Sequence, residues 1–377
     1  MERAWMRGAL VALGLVGAAV APAAAKPEVA KPEVAKPQGE APALTREAID
    51  GATLRAPEEA SDDGRKSEKA SGKKAKKGAK DADAKRPDPL LVKVQVLLDR
   101  ARFSPGAIDG RDGENLRGAL SAFAAAQGLP ASDRLTRDLF DRLQATSRDP
   151  VVTSYTITEE DVKGPFVEKM PTKMQDQAEV GPMRYTNPRE MLAERFHMQR
   201  DLLSALNPDV PFDKAGGTLV VAAVPPLGEG KVEGAPVAPK VERIEVDKRT
   251  KRVRAYDEAG KLTADYPASI GSSEKPAPDG TAKVKAIAFE PWYTYNPKYR
   301  FEGVTAKKKF SIHPGPNNPV GVVWIDLSIP SYGIHGTPDP EKVGKTESHG
   351  CIRLTNWDAR DLASHTAKGA KVEFLDK

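Results

Sequence analysis

The sequence predicts a multidomain protein with a small all-α three-helix domain, an α+β middle segment and a C-terminal β-rich sandwich or barrel. Apolar residues recur at helical spacing within 87–146, whereas short apolar or alternating runs bounded by Gly, Asp, Asn and Pro fill 241–377. These patterns predict the following order along the chain: a signal peptide at 1–25, a disordered Pro/Lys/Ala-rich spacer at 26–86, the helical domain at 87–146, the α+β segment at 151–224, a linker at 225–240 and the β-rich domain at 241–377.

The N-terminus has the features of a secretory signal. Two arginines lie within residues 1–7, an apolar run follows at 8–20, and three alanines at 23–25 provide small residues for cleavage. Because the apolar run is shorter than an ordinary membrane span, we expect a mature chain that starts near Lys26 and has no membrane span. An uncleaved anchor is the alternative interpretation.

The spacer that follows is predicted to form no packed structure. Residues 26–38 read KPEVAKPEVAKPQ, in which each proline fixes φ and disfavours helix in the residue before it. Between residues 64 and 86, ten Lys or Arg stand against three Asp or Glu, an excess that exceeds the net charge of +5 of the whole chain. The basicity therefore belongs to a tail that cannot bury enough apolar surface to fold. Because the chain is expected to be exported, we expect no nucleic-acid partner.

Three apolar stripes predict the three helices of the first folded unit. The stripes are Leu90, Leu91, Val94, Leu97 and Leu98; then Leu116, Leu120 and Phe123; then Leu135, Leu139 and Leu143. Between the first two stripes, the loop at 103–113 contains the glycines and proline that tight turns favour.

The middle segment alternates between strand and helix signals. Residues 153–158 alternate like a strand, Asn187 and Pro188 form a good helix start, and 202–206 followed by 218–221 predict a helix, a turn and a strand. The Gly- and Pro-rich residues 225–240 then predict the linker.

Short strands dominate the C-terminal domain. The runs at 244–246, 252–256, 266–271 and 321–327 predict strands. We expect one clear helix at 357–366, capped by Thr355 or Asn356 and ended by Gly369, followed by a last strand at 371–375.

The single cysteine of the sequence lies in the motif SHGCIRL at 348–354, sixteen residues after His335 in YGIHGT at 332–337. One cysteine cannot form an intramolecular disulfide, so in an exported protein its thiol is a candidate nucleophile. His335 and His349 are the imidazoles available as general base. The backbone N–H groups of Gly350 and Cys351 are candidates for an oxyanion hole. No pair of histidines has compact metal-ligand spacing.

With NPVG at 318–321, these motifs make 241–377 resemble the L,D-transpeptidase catalytic domain, also called the YkuD domain. The resemblance implies a cysteine acyltransferase without a cofactor or a metal. Cys351 would be the nucleophile and His335 the base, with the His335 ring oriented by a backbone carbonyl, here that of Gly336. His349 remains the alternative base.

Other residues of these motifs are predicted to bind substrate. Ser348 and His349 would shape and polarise the pocket, and Tyr332 would contact the substrate. Arg353 is interpreted equally well as a ligand for a substrate carboxylate or as the partner of a structural ion pair. The aromatic residues 292–295 are more simply explained by packing than by recognition.

Two further resemblances concern the N-terminal half. Residues 88–144, with PGAIDG at 105–110 and ALSAF at 119–123, resemble a peptidoglycan-binding-like domain, although a helical spacer bundle is the alternative. Residues 151–224, with ALNP at 205–208, resemble a divergent LysM module interrupted by about thirty residues.

Together, the resemblances imply a periplasmic, envelope-associated enzyme whose partners are peptidoglycan stem peptides and glycan. The acyl acceptor would be a second stem, giving 3→3 cross-links, an envelope protein, or water, giving L,D-carboxypeptidase activity. A non-catalytic wall-binding protein is the alternative from another class. Because all the acyl-transfer motifs follow Val241, the sequence also predicts that 241–377 folds and acylates without the preceding modules.

Overall fold

Helices dominate the described chain before residue 228, and strands dominate it after residue 240. The structure is a computed structural model that describes residues 44–54, 86–228, 240–272, 276–299, 304, 306–347 and 350–376. The predicted signal peptide, most of the spacer and most of the linker lie outside these residues. Within the described ranges, no helix is long and apolar enough to cross a membrane.

Several helices of the N-terminal half start at a residue whose side chain caps the helix. The Asp88 carboxylate accepts a hydrogen bond of 2.7 Å from the N–H of Leu90, and Pro89 occupies the first helical position. The first two apolar stripes lie on the helices Pro89–Arg100 and Glu114–Ala126; of the third, Leu139 and Leu143 lie on the helix Arg137–Gln144, and Leu135 precedes it. The described helices are α1 Arg46–Asp50, α2 Pro89–Arg100, α3 Glu114–Ala126, α4 Arg137–Gln144, α5 Glu159–Lys163, α6 Met174–Gln177, α7 Pro188–Arg195 and α8 Arg200–Leu206.

Residues 44–54, predicted as part of the disordered spacer, are instead packed against the folded chain. Ile49 of α1 is fully buried, and the Lys93 ammonium donates hydrogen bonds of 2.8 Å to the carbonyls of Asp50 and Ala52. The Asp50 carboxylate accepts from the N–H of Val151 at 2.8 Å. The spacer prediction is wrong for this segment because Ile49, with Leu44 and Leu54 beside it, packs against the core and long-range hydrogen bonds join the segment to the folded chain.

The two predicted N-terminal modules share one hydrophobic core. Buried residues from α1 to β2 form a single apolar cluster that runs through both 87–146 and 151–224. In the middle segment, β1 Val152–Thr156 and β2 Thr218–Ala222 pair antiparallel. The two predicted modules therefore share one continuous apolar core.

The C-terminal half is a mixed sheet of nine strands in the described residues, in the order β5-β4-β3-β13-β7-β10-β11-β12-β6. The pairs β3–β13 and β11–β12 are parallel. The strands are β3 Val241–Asp247, β4 Arg252–Tyr256, β5 Leu262–Pro267, β6 Ser269–Ile270, β7 Gly280–Phe289, β8 Tyr293–Tyr295, β9 Phe310–Ile312, β10 Val323–Leu327, β11 Gly333–His335, β12 Ile352–Arg353 and β13 Thr366–Leu375; β8 and β9 form a separate hairpin, and helix α9 is Asn356–His365.

Connectivity makes this sheet barrel-like. Its two edge strands, β5 and β6, are separated along the chain by Ala268 alone. The sheet must curve until its edges approach each other, because one residue spans only about 3.3–3.6 Å. Of the predicted sandwich or barrel, the structure thus has the barrel-like form.

Two local predictions in this half differ from the structure. The predicted strand at 266–271 is divided at Ala268, where the chain passes from one edge of the sheet to the other. Gly369, predicted to end the helix, lies inside β13, and the helix ends at His365. The last strand is longer than predicted because it pairs with β3 on one side and β7 on the other.

Side chains of the N-terminal half contact α9 at several positions along the helix. The pairs are Glu194 with Asn356, His197 with Trp357, Ser104 with Asp358 and Arg102 with Asp361. Most of these side chains are buried, so the interface encloses polar groups that depend on partners from both halves. The halves are parts of one fold.

The loop at 103–113 forms part of this interface. The N–H of Ser104 donates to the carbonyl of Asp265 at 2.8 Å, and the Arg252 guanidinium donates to the carbonyl of Ser104 at 3.0 Å. Arg252 also forms a buried ion pair with Asp265. The loop that resembles part of a peptidoglycan-binding-like domain therefore forms hydrogen bonds with strands of the barrel-like sheet.

The thirty residues that interrupt the LysM-like pattern also contact the barrel. Met183 is fully buried; its N–H donates to the carbonyl of Pro314 at 2.9 Å, and its carbonyl accepts from the N–H of Asn317 at 2.9 Å. The Asn317 amide reaches the carbonyl of Arg184 at 3.0 Å. The insertion thus fixes the segment immediately before the 318–321 motif.

Candidate active site

Two neighbouring parallel strands bring the thiol and the imidazole together. In the pairing of β11 with β12, Ile334 lies opposite Ile352 and His335 opposite Arg353. Both isoleucines are fully buried in the core. Strand alternation therefore turns His335, Arg353 and the adjoining Cys351 toward the other face of the sheet. Cys351 is half-buried there.

His335 is held in one orientation. Its Nδ1 lies 2.7 Å from the carbonyl oxygen of Gly336, the contact that the family resemblance implied. Since a carbonyl accepts only, Nδ1 carries the proton and Nε2 keeps its lone pair. The ring stacks on Trp324 with centroids 5.5 Å apart. Burial, assisted by the positive charge of Arg353, lowers the pKa of His335 to about 3.

This environment makes a testable prediction about protonation. We expect the His335 imidazole to stay neutral from pH 8 down to pH 4 and to titrate near pH 3, as followed by ¹⁵N chemical shifts. An unfolded histidine titrates near 6.5, so the folded pKa is depressed. The resulting stabilisation is present above about pH 6.5 and is lost as pH falls toward 3. A titration midpoint at pH 6–7 in the folded protein would contradict the buried, neutral ring.

Asn356, which the sequence suggested only as a possible helix cap, is a structural centre of the site. Its Oδ1 accepts from the N–H of Val322 at 3.2 Å and of Thr337 at 3.0 Å. A Cβ on Gly321 or Gly336 would lie 2.0 or 2.1 Å from this oxygen. Glycine at both motif positions thus makes room for the amide. The helix cap is Thr355, whose hydroxyl accepts from the N–H of Asp358 at 3.2 Å.

Two predicted substrate-binding side chains keep unused hydrogen-bonding capacity. The buried Tyr332 hydroxyl and the Nε of Arg353 have no hydrogen-bond partner in the described part of the chain. Burial, then the nearby Cys351, raises the pKa of Tyr332, and the same two causes raise the pKa of Tyr293 to about 12. Burial lowers the pKa of Arg353, opposed by Asp339 and Cys351. All three side chains therefore lie near enough to the thiol to interact with it electrostatically.

The turn before Cys351 is described only in part. Gly350 has φ of 119°, a region that favours glycine, which is consistent with its place just before the nucleophile candidate. Ser348 and His349 lie outside the described residues. Their predicted roles, including His349 as the alternative base, stay predictions.

Among the other histidines and aromatic residues, His197 and Tyr295 are buried in packing contacts, whereas Trp292 is exposed. His197 is buried, stacks on Trp357 and places Nδ1 3.1 Å from the Asp99 carboxylate, so its role is structural. Tyr295 is buried against Phe310, as packing predicts. Trp292 differs: it is 56% exposed.

A single thiol and an oriented imidazole on one face of a barrel-like sheet are typical of a catalytic domain of the acyltransferase class. Residues 241–374 match the family model of the YkuD domain, the L,D-transpeptidase catalytic domain. The C-terminal barrel-like sheet therefore matches the fold of this catalytic domain. The match does not extend to the peptidoglycan-binding-like or LysM-like segments, which stay predictions.

Sequence relatives agree with this assignment. YkuD of Bacillus licheniformis is 38% identical over 96 residues, which cover 26% of this chain and 54% of the relative. YqjB of Bacillus subtilis is 29% identical over 163 residues, covering 42% of this chain and 81% of the relative. YbiS of Escherichia coli is 28% identical over 207 residues, covering 54% and 65%. All three names include L,D-transpeptidase. The chain spans about half the length of the first relative.

Solved structures of L,D-transpeptidases are also similar. The enzyme of Xylanimonas cellulosilytica is 13% identical with a TM-score of 0.34, over 77% of this chain and 96% of that chain. The Enterococcus faecium enzyme is 19% identical with a TM-score of 0.28, over 36% and 50%. The family assignment rests on the family model and the sequence relatives.

Proposed function

We propose that the protein is a periplasmic L,D-transpeptidase that acts on peptidoglycan tetrapeptide stems through a thioester on Cys351. The observation that carries this proposal is the neutral His335, oriented by the Gly336 carbonyl on the same face of the sheet as the thiol. The family match of residues 241–374 supports the reaction class.

Acylation begins with attack by the Cys351 sulfur on the carbonyl carbon of the third stem residue, in the peptide bond to the terminal D-alanine. The thiol proton passes to Nε2 of His335 as the bond forms, because a ring buried this deeply does not favour a preformed imidazolium. The N–H groups of Gly350 and Cys351 are the proposed donors to the oxyanion. Collapse breaks the C–N bond, and His335 returns the proton to the departing amine of D-alanine. The product is a thioester.

The acceptor then determines the product. An amine from a second stem attacks the thioester carbonyl, His335 takes a proton from that amine, and the Cys351 thiolate leaves and is reprotonated, which forms a 3→3 cross-link. An amine on an envelope protein would attach that protein to the wall by the same steps. Attack by water would give L,D-carboxypeptidase activity.

Tyr332 and Arg353 are the proposed donors to the stem. Each has a buried donor atom without a hydrogen-bond partner among the described residues, and both are close enough to the thiol for electrostatic coupling. A cationic guanidinium and a neutral phenol suit carboxylate and carbonyl oxygens of a peptide. Of the two interpretations of Arg353, the substrate ligand is favoured.

The test is a reaction with a purified disaccharide-tetrapeptide donor. We expect intact-protein mass spectrometry to show one added tripeptide-bearing fragment per chain, with release of one D-alanine. An added amine acceptor should shift the product from hydrolysed tripeptide to cross-linked dimer. If the protein releases no D-alanine and forms no adduct, the catalytic proposal is wrong and the wall-binding alternative stands.

A further inference from the structure

A buried carboxyl from the N-terminal half is connected to the candidate base through three hydrogen bonds and two intermediate groups, the Asn356 amide and one backbone peptide group. Glu194, on α7, is 3% exposed and accepts a hydrogen bond of 2.6 Å from Nδ2 of Asn356. Asn356 is fully buried at the start of α9, and its second Nδ2 hydrogen goes to the carbonyl of Pro316 at 3.1 Å. Glu194 and the Pro316 carbonyl together therefore hold Nδ2 of the Asn356 amide in one direction.

The orientation of this amide matters for the turn after His335. With Nδ2 directed to Glu194, Oδ1 faces the chain and accepts the N–H of Thr337 at 3.0 Å. The peptide group between Gly336 and Thr337 supplies both that N–H and the Gly336 carbonyl. The same carbonyl accepts the Nδ1 proton of His335 at 2.7 Å. One peptide plane thus joins the Asn356 amide to the imidazole.

Close packing leaves the peptide group between Gly336 and Thr337 little room to move. A Cβ on Gly321 or Gly336 would lie about 2 Å from Oδ1 of Asn356, so the amide is in close contact with the backbone of both motifs. Loss of its anchor would leave a buried N–H without an acceptor, and a flip of the amide would place N–H groups against the N–H of Thr337.

From this chain of contacts we infer that Glu194 is a positioning residue for His335, supplied to the barrel by the N-terminal half. It touches no reacting atom; it acts through Asn356 and the Gly336–Thr337 peptide group. The catalytic consequence rests on the proposed function, whereas the effect on the His335 ring does not.

The carboxyl is suited to replacement by an amide. Burial raises the pKa of Glu194 to about 8, so at neutral pH it is mostly protonated and uncharged. The titratable groups that influence it are Tyr185, which is hydrogen-bonded to it, and Glu190 and Arg200. Glutamine has the same shape, is neutral and offers the same oxygen to Asn356, whereas methionine fills similar space without an acceptor.

The experiment compares Glu194→Gln and Glu194→Met in the full chain. The first readout is the ¹⁵N spectrum of His335, assigned with a His335→Gln variant. Wild type and Glu194→Gln should show the Nδ1–H tautomer, and Glu194→Met should show a mixture or the other tautomer. The second readout is acylation: we expect a rate near wild type for Glu194→Gln and a loss of about 10–100-fold for Glu194→Met, mainly in kcat.

Ser104→Ala is the matched control. It removes another hydrogen bond between the N-terminal half and α9, the bond of 2.9 Å from Ser104 to Asp358, without touching Asn356. It should lower the melting temperature and leave the His335 tautomer and acylation rate unchanged.

Two results would overturn the inference. One is a folded Glu194→Met protein with the wild-type tautomer; the other is an equal change in Ser104→Ala. If Glu194→Met does not fold, Glu194→Leu takes its place in both measurements. The tautomer of His335 in Glu194→Gln is a separate test: a changed tautomer in a folded Glu194→Gln protein contradicts the proposed hydrogen-bond path. Should the wild type fail to acylate, the proposed function falls, but the tautomer still tests the positioning role.

Discussion

Replacement of Cys351 by serine is expected to abolish the covalent adduct with the tetrapeptide donor and to lower the acylation rate by at least about 10³-fold. An alcohol holds its proton more tightly than a thiol, and the buried His335, with its pKa lowered to about 3, is a weak base. The site therefore depends on a nucleophile that gives up its proton readily. Mass spectrometry and D-alanine release measure both quantities.

Variants of the candidate bases complete this experiment. His335→Ala should retain Cys351 and slow acylation by about 10²–10⁴-fold, the usual contribution of a general base. His365→Ala is the control, because the His365 ring is hydrogen-bonded to the Asp361 carbonyl and to the Arg102 guanidinium and has no proposed role at the thiol. A larger loss in His349→Ala, with His335→Ala nearly normal, would transfer the base role to His349. Full activity of Cys351→Ser would contradict covalent catalysis.

The second large effect concerns the N-terminal half. We expect a chain that lacks residues 44–224 to be unfolded or aggregated and to form no adduct, contrary to the independence that the order of motifs predicted. The deletion would leave Asn356, Trp357, Asp358 and Asp361 without the partners that cover them. Each buried polar group left unsatisfied costs about 1–3 kcal/mol, and a whole domain is stable by only about 5–15 kcal/mol.

The control deletion ends before Leu44. It removes only the N-terminal residues outside the described chain and keeps every contact discussed above, so it should fold and acylate like the mature protein. Circular dichroism, thermal unfolding and the adduct assay compare the two deletions. A cooperative, fully active 241–377 fragment would show that the interface is dispensable.

Local sequence signals located most of the regular elements. The helical stripes before residue 146 and the strand at 252–256 depend on the spacing of side chains within a few residues, which sequence contains directly. Strands β7, β8, β9, β11 and β12 were not predicted. The last two contain three and two residues, too few for a periodic pattern, and exist because their neighbours in the sheet supply hydrogen bonds.

Only part of the candidate site was predicted from the sequence. Cys351 and His335 lie in recognisable motifs, and the Gly336 carbonyl was expected as the partner of the imidazole. No sequence pattern indicated a role for Glu194, which is a charged residue on a helix of mixed composition. Its hydrogen-bond partner Asn356 lies 162 residues further along the chain. Asn356 was visible only as a potential cap, since its contacts with Val322 and Thr337 are long-range.

What the sequence alone determined is the chemistry: one thiol, a nearby histidine motif and the strand and helix patterns around them, because nucleophilicity and periodicity belong to residue types and short spacings. The tertiary structure decided the architecture. It joined two predicted modules into one core, ordered residues 44–54, and brought the 103–113 loop and residues 183–184 into contact with the barrel-like sheet and its loops. Such contacts depend on which buried polar groups meet across the fold, and no local pattern encodes that pairing.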